Sequence, residues 1–169
     1  MATTGPPSLY TPAQRARRDA TVWTPVQGVL APVQFLIFLL SLGLVLYSLN
    51  TGAGTDWALG SVVVKTLLLY LIMVTGCIWE KVVFGQYLFA PAFFWEDVMS
   101  MAVLALHTAY LVVWQQGLWP ANEQLALALT AYAAYAINAA QYLLKLRTAR
   151  LQRPAADSGM PHGTEGAHP

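Results

Sequence analysis

The sequence predicts an all-α, polytopic membrane protein with four transmembrane helices and both termini in the cytoplasm. Three observations lead there. Only 10% of the 169 residues are charged and mean hydropathy is +0.50, whereas a soluble domain carries roughly 25% charged residues. The apolar residues gather into runs close to the roughly 20 needed to cross about 30 Å of hydrocarbon. The lysines and arginines flank those runs on one side, the pattern of positively charged cytoplasmic ends.

Each element has its own justification. Val26–Leu49 reads as the first span, because no charge occurs between Asp19 and Asp56. Pro25 suits its first turn and Pro32 predicts a kink. Ala58–Trp79 is the second span, interrupted only by Lys65. Phe94–Trp114 is the third and Ala121–Leu146 the fourth, where Ala126, Ala133, Ala134, Ala136, Ala139 and Ala140 would allow close helix approach. Arg15, Arg17 and Arg18 precede the first span, Lys81 follows the second, and Lys145, Arg147, Arg150 and Arg153 follow the fourth. The two intervening turns, around Gly52 and Gly117, contain no Lys or Arg. The N-terminal run is too long and lies too far from the start to read as a cleavable signal.

Residues 15–153 therefore form the expected transmembrane domain. Residues 1–14 and 154–169, rich in Pro, Gly, Ser, Thr and Ala, lack the apolar content to fold and read as tails. His162 and His168 fall in the second of these. A single cysteine, Cys77, excludes an internal disulfide and a thiolate metal cage. No glycine-rich nucleotide loop and no basic-aromatic patch for nucleic acid are present.

The polar residues inside the greasy runs are the candidates for chemistry, because an unpaired ionised group in hydrocarbon costs several kcal/mol. They concentrate between Trp79 and Leu111. Helical rise places His107 roughly 16–18 Å above the cytoplasmic end of its helix, and Lys65 about 20 Å above the same end of the antiparallel neighbour. Glu80, Glu96 and Asp97 fall at the cytoplasmic edge, with Gln34, Asn138 and Gln141 between the two layers. Glu96, Ser100, Val103, His107 and Trp114 share one stripe, and Tyr135, Asn138 and Tyr142 another. Asp97 lies about 100° from Glu96 and is expected to meet Lys81. The pattern suggests a cavity open toward the cytoplasm, with the aromatic loop Phe84–Trp95 suited to a flat, greasy ligand. Structural readings stand beside these. Glu80 and Lys81 can mark a helix end, Glu96 and Asp97 can complement a helix dipole, and the aromatic loop can be an interfacial belt. Lys65 is expected to snorkel outward, with a place beside His107 as the alternative.

The block EKVVFGQYLFAPAFFWEDVMSMAVLALHTAYL, with RRDATVWTPVQGVLAPVQFLIFLLSLGLVL upstream, resembles the vinyl bacteriochlorophyllide hydratase family of phototrophic bacteria. The likeness runs from about Tyr10 to Arg147. It implies addition of water across the C3 vinyl group of chlorophyllide a or a vinyl bacteriochlorophyllide, giving a 1-hydroxyethyl group on the way to bacteriochlorophyll a. It also implies a place in the bacterial inner, photosynthetic membrane, where the partners are the tetrapyrrole and the lipid bilayer. A homo-oligomer and contacts with other pigment-biosynthesis enzymes are left open. No cofactor and no metal of the protein's own are implied, since the magnesium belongs to the substrate.

For that reaction the acid that protonates the vinyl carbon is expected among Glu96, Glu80, Asp97 and His107. Glu96 is the first choice, with Glu80 or Asp97 as the ionised partner. His107 is a possible ligand to the substrate magnesium, the acid–base group itself, or structural. It lies about 16 Å from Glu96 along the helix, too far for one macrocycle to serve both. Lys65, Lys81, Phe93, Trp95, Ser100, Tyr135 and Asn138 are the expected substrate contacts. Two other classes use overlapping residues. A non-catalytic pigment-binding protein would need the His and aromatics but not the acids, and a small transporter subunit would use Lys65 and His107 as a gate.

Overall fold

The computed structural model describes residues 9–151, and the side chains as far as residue 148. Most of the two expected tails, with His162 and His168, lies outside the described residues.

Five helices follow one another: α1 (Pro12–Ala20), α2 (Trp23–Thr51), α3 (Thr55–Phe84), α4 (Phe94–Gln116) and α5 (Ala121–Leu151). The first begins inside the stretch expected to be a tail. Its start is a capping box: the Thr11 hydroxyl accepts from the Gln14 amide and the Gln14 side chain accepts from the Thr11 amide, with Pro12 in the first turn. Thr21 then turns extended and ends α1, before α2 starts at Trp23. Glycines in the left-handed region end α2, α3 and α4: Gly52 at φ 71°, Gly85 at φ 89° and Gly117 at φ 61°. Side chains with a Cβ adopt this conformation only at a cost.

α2 packs along α3 and α4 along α5. The two hairpins close through α2–α5, α3–α4 and α3–α5 contacts, and α1 lies against α3. The central core is made by Phe38, Val45, Val62, Leu69, Val103, Tyr110, Leu125 and Tyr132. The close approach of α5 uses Ala128 and Ala131, both fully buried. Ala126, Ala133, Ala136 and Ala140, expected to do this, face outward, while Ala134 and Ala139 are half-buried. Alanine alternates too densely along α5 for sequence to show which of its faces is covered.

The outside of the bundle is apolar and the inside is not. Val29, Leu36, Leu40, Leu67, Val74, Leu143 and Leu144 are exposed, while Gln34, Lys65, Glu80, Glu96, Asp97 and His107 are buried. Water would favour the reverse; hydrocarbon favours this arrangement. Three helices, α2, α3 and α4, are long and apolar enough to cross a membrane. α5 matches them in length but not in apolarity. Its run is built largely on alanine and is interrupted by Gln124, Thr130, Asn138 and Gln141.

Candidate active site

At the end of the bundle where α3 finishes and α4 begins, the chain makes a tight loop over residues 85–93. Phe89 sits there at φ 61°, the one non-glycine residue with positive φ among those described. This conformation turns two successive amides inward, an arrangement that holds anions. The Phe89 amide donates to Asp97 Oδ2 at 2.7 Å and the Ala90 amide to Glu80 Oε1 at 2.6 Å. Glu80, from the last turns of α3, and Asp97, from the first turn of α4, are thereby brought side by side. Both residues are buried, and the Tyr142 hydroxyl reaches Asp97 Oδ1 at 3.5 Å.

Glu96 has a different partner. Lys145 Nζ of α5 donates to Glu96 Oε2 at 2.6 Å and lies 4.9 Å from the centre of the Phe93 ring. The three acids thus divide into a neighbouring pair held by loop amides and a carboxylate matched by an ammonium. The pairing expected between Lys81 and Asp97 is absent. Lys81 Nζ donates to the Gly85 carbonyl at 2.7 Å and lies over the Tyr87 ring, capping its own helix. The loop folds back over the start of α4, so Asp97 meets loop amides and not a neighbouring cation.

An aromatic box borders the acids. Phe93 stands 5.9 Å from Trp79, 5.8 Å from Phe84 and 6.0 Å from Tyr142, and Tyr10 stacks on Phe84 at 5.8 Å. These rings fill one another's spaces, so the open cavity expected from sequence is closed by the protein's own side chains. Trp95 is not in the box. It is 70% exposed and meets Phe94 edge-on, on the outside of the bundle. α1 closes the box from the chain's other end. Arg17 donates through Nε and a terminal nitrogen to the Val83 carbonyl, at 2.9 and 2.7 Å. Burial raises the Tyr10 hydroxyl above its ordinary range, with the Arg18 charge opposing, so Tyr10 stays a neutral ring. Sequence reasoning missed Tyr10, Arg17 and the pairing role of Lys145. All three act across long sequence separations, and only the cluster of arginines before the first span hinted at one.

Deeper in the bundle lies the second polar layer. His107 is fully buried, with Nδ1 2.8 Å from the Val103 carbonyl of its own helix and its ring 5.9 Å from Tyr132. Lys65 is fully buried as well, with Nζ 3.6 Å above the centre of the Tyr135 ring and 5.9 Å from that of Tyr132. It does not snorkel outward. Its position on α3 faces the α5 tyrosines, whose π faces receive the ammonium, and its shared depth with His107 is as helical rise predicts. Ser100 accepts from the Asn138 side-chain amide at 2.9 Å between the layers. The expected α4 stripe holds from Glu96 through Ser100 and Val103 to His107. It fails at Trp114, which is 41% exposed near the helix end, beyond the reach of a packed neighbour.

A family model described as 2-vinyl bacteriochlorophyllide hydratase matches residues 10–148. The 2-vinyl bacteriochlorophyllide hydratase of Cereibacter sphaeroides is 66% identical over 148 residues, covering 88% of this chain and 92% of that protein. The protein of the same name from Rhodobacter capsulatus is 63% identical over 152 residues, 90% of this chain and 88% of that one. No solved structure matches the chain significantly.

Proposed function

Because the chain belongs to the 2-vinyl bacteriochlorophyllide hydratase family, we propose that it adds water across the vinyl group of a 2-vinyl bacteriochlorophyllide in a bacterial photosynthetic membrane, and that the Glu80–Asp97 pair moves the proton. The observation that carries the site is the contact between these two buried carboxyl groups, each held by a loop amide, beside an aromatic box. The family resemblance supports the reaction; the geometry supports the residues.

The chemistry suits such a pair. The protonated carboxyl gives its proton to the terminal vinyl carbon, whose π electrons form the new C–H bond. This leaves a cation on the carbon next to the ring, delocalised over the macrocycle. The ionised member of the pair faces that charge and takes a proton from the attacking water as the C–O bond forms. One water is consumed, and the pair ends the cycle with the single proton it began with. Glu96, engaged by Lys145, holds the end of α5 against the start of α4 and sets the wall behind Phe93. The macrocycle approaches from the lipid side, where Trp95 is exposed, and displaces or intercalates between the rings around Phe93. Lys81 lies at the rim of the same face and suits an anionic substituent of the pigment. His107, fully buried about 16 Å away along α4, is read here as a member of the inner polar layer and not as a magnesium ligand. Lys65, Ser100, Tyr135 and Asn138 belong to that layer too.

The proposed topology has four spans with both termini cytoplasmic. Its support is that Arg17, Lys81 and Lys145 all converge on the acid end of the bundle, whereas the opposite turns carry Asp56 and Glu123 and no cation. In the test, the purified protein in lipid nanodiscs receives the vinyl pigment and the product mass is read. A gain of one water supports the hydratase; tight pigment binding with no mass change would identify a pigment carrier instead.

A further inference from the structure

The reaction consumes water, yet the bundle that performs it is wrapped in hydrocarbon. Several buried polar atoms in its interior have no hydrogen-bond partner among the described residues: both side-chain polar atoms of Gln34, Lys65 Nζ, His107 Nε2, Asn138 Oδ1 and Gln141 Oε1. In a low-dielectric interior each unmet group costs on the order of 1–3 kcal/mol. These atoms come from all four long helices, and their residues converge on one axis of the molecule.

The axis can be followed contact by contact. From Asp97 it passes to the Tyr142 hydroxyl, which also contacts Ser100. Ser100 accepts from Asn138, one turn from Tyr135. Tyr135 carries the Lys65 ammonium on its ring, and Lys65 and His107 both adjoin Tyr132. The Tyr132 hydroxyl is 2.6 Å from Ser41, itself 2.6 Å from Ser61. Gln34, seven residues before Ser41 on the same face of α2, is buried as Ser41 is. Ser61 lines a surface hollow of about 510 Å³ beside Asp56, at the end of the bundle away from the acids.

We propose that this axis holds a file of ordered water between Gln34, Lys65, His107, Asn138 and Gln141, and that the file supplies the reacting water to the Glu80–Asp97 pair. Water is the ligand that fits. The unmet atoms include both donors and acceptors, and a buried water commonly makes about three hydrogen bonds to such groups. A cation would meet no counter-charge here, since the Lys65 ammonium stands beside His107 and the remaining unmet groups are neutral amides. Delivery from within also keeps water and pigment from competing for one entrance. The proposal rests on the hydratase reading for the fate of the water, but not for its presence.

Radiolytic footprinting separates the two, because hydroxyl radicals formed from bound water modify buried side chains beside it. In nanodiscs, Tyr132, Tyr135 and His107 should be labelled although they are nearly or fully buried. Gln34→Leu and Asn138→Leu, which keep side-chain bulk, should suppress that labelling. They should also lower kcat about tenfold, equivalent to about 1.4 kcal/mol of barrier, with KM for the pigment unchanged. An unlabelled interior in the wild-type protein overturns the file while leaving the hydratase reading intact. A wild-type rate in both leucine variants with labelling lost overturns the supply of reacting water by the file. Labelling without any hydrated product from the wild-type protein keeps the water and removes the hydratase. The wild-type footprint needs no variant to fold, and detergent melting curves identify a leucine variant that does not.

Discussion

At the scale of single residues, the three acids at the α3–α4 junction differ in what surrounds them, and the difference is testable. Glu80→Gln keeps an oxygen for the Ala90 amide and an N–H for Asp97, so the loop stays in place while the exchangeable proton goes. Turnover should fall roughly 10²–10⁴-fold with membrane insertion unchanged, and Asp97→Asn should behave alike. Glu96→Gln instead strands the Lys145 ammonium, whose side chain is 27% exposed. Solvent screening of that exposed part reduces the penalty to on the order of 1–2 kcal/mol. The melting temperature should drop more than the rate. Steady-state kinetics and melting curves on the three variants decide the matter. A collapse of turnover in Glu96→Gln beside a normal Glu80→Gln would return the acid role to Glu96, where sequence alone first placed it.

At the scale of elements, the site depends on where α3 stops. Glu80 lies five residues before Gly85, and the chain must reverse at once for the Ala90 amide to reach it. Gly85 supplies that reversal at φ 89°, and a Cβ added there would meet nothing within 4 Å. Gly85→Ala therefore tests backbone conformation without a clash. It should cost on the order of 1–2 kcal/mol and loosen the loop that presents the two amides. A lower melting temperature with reduced kcat is the expected pair of readings. Full activity with unchanged stability would mean that the loop geometry around Phe89 does not set the acids. Arg17 reinforces the same point from outside, since its two hydrogen bonds to the Val83 carbonyl satisfy an acceptor near the end of α3 that the helix leaves open.

At the scale of the whole molecule, charge and burial point the same way. The cations converge at the acid end, and the exposed surface between the ends is leucine, valine and aromatic. Reporter fusions at Ala53 and Gly117 should therefore report the periplasm, and a fusion after Arg153 the cytoplasm. The fusion after Arg153 is the sensitive one, because α5 is less apolar than the other three long helices. A periplasmic signal there would remove α5 from the membrane. It would also break the assembly of the site, since Lys145, Tyr142 and Asn138 reach Glu96, Asp97 and Ser100 only if α5 runs beside α4.

Hydropathy and charge are local, additive properties, so they determined from sequence alone the all-α class, the positions of the long helices and the end at which the acids gather. Helical rise, equally local, determined that Lys65 and His107 share a depth. The tertiary structure decided whatever depends on which faces meet. Lys65 turns inward because Tyr135 and Tyr132 stand opposite it, a fact carried by α5 and invisible in the run around position 65. Glu96 and Asp97 are adjacent and chemically similar, yet one meets an ammonium 49 residues away and the other a carboxyl group and a loop amide. The left-handed turn at Phe89 offends local preference and persists because Asp97 and Glu80 hold the amides it exposes. Local rules read well where each residue's energy is its own; they fail where a contact between distant segments outweighs a preference of about 1–2 kcal/mol.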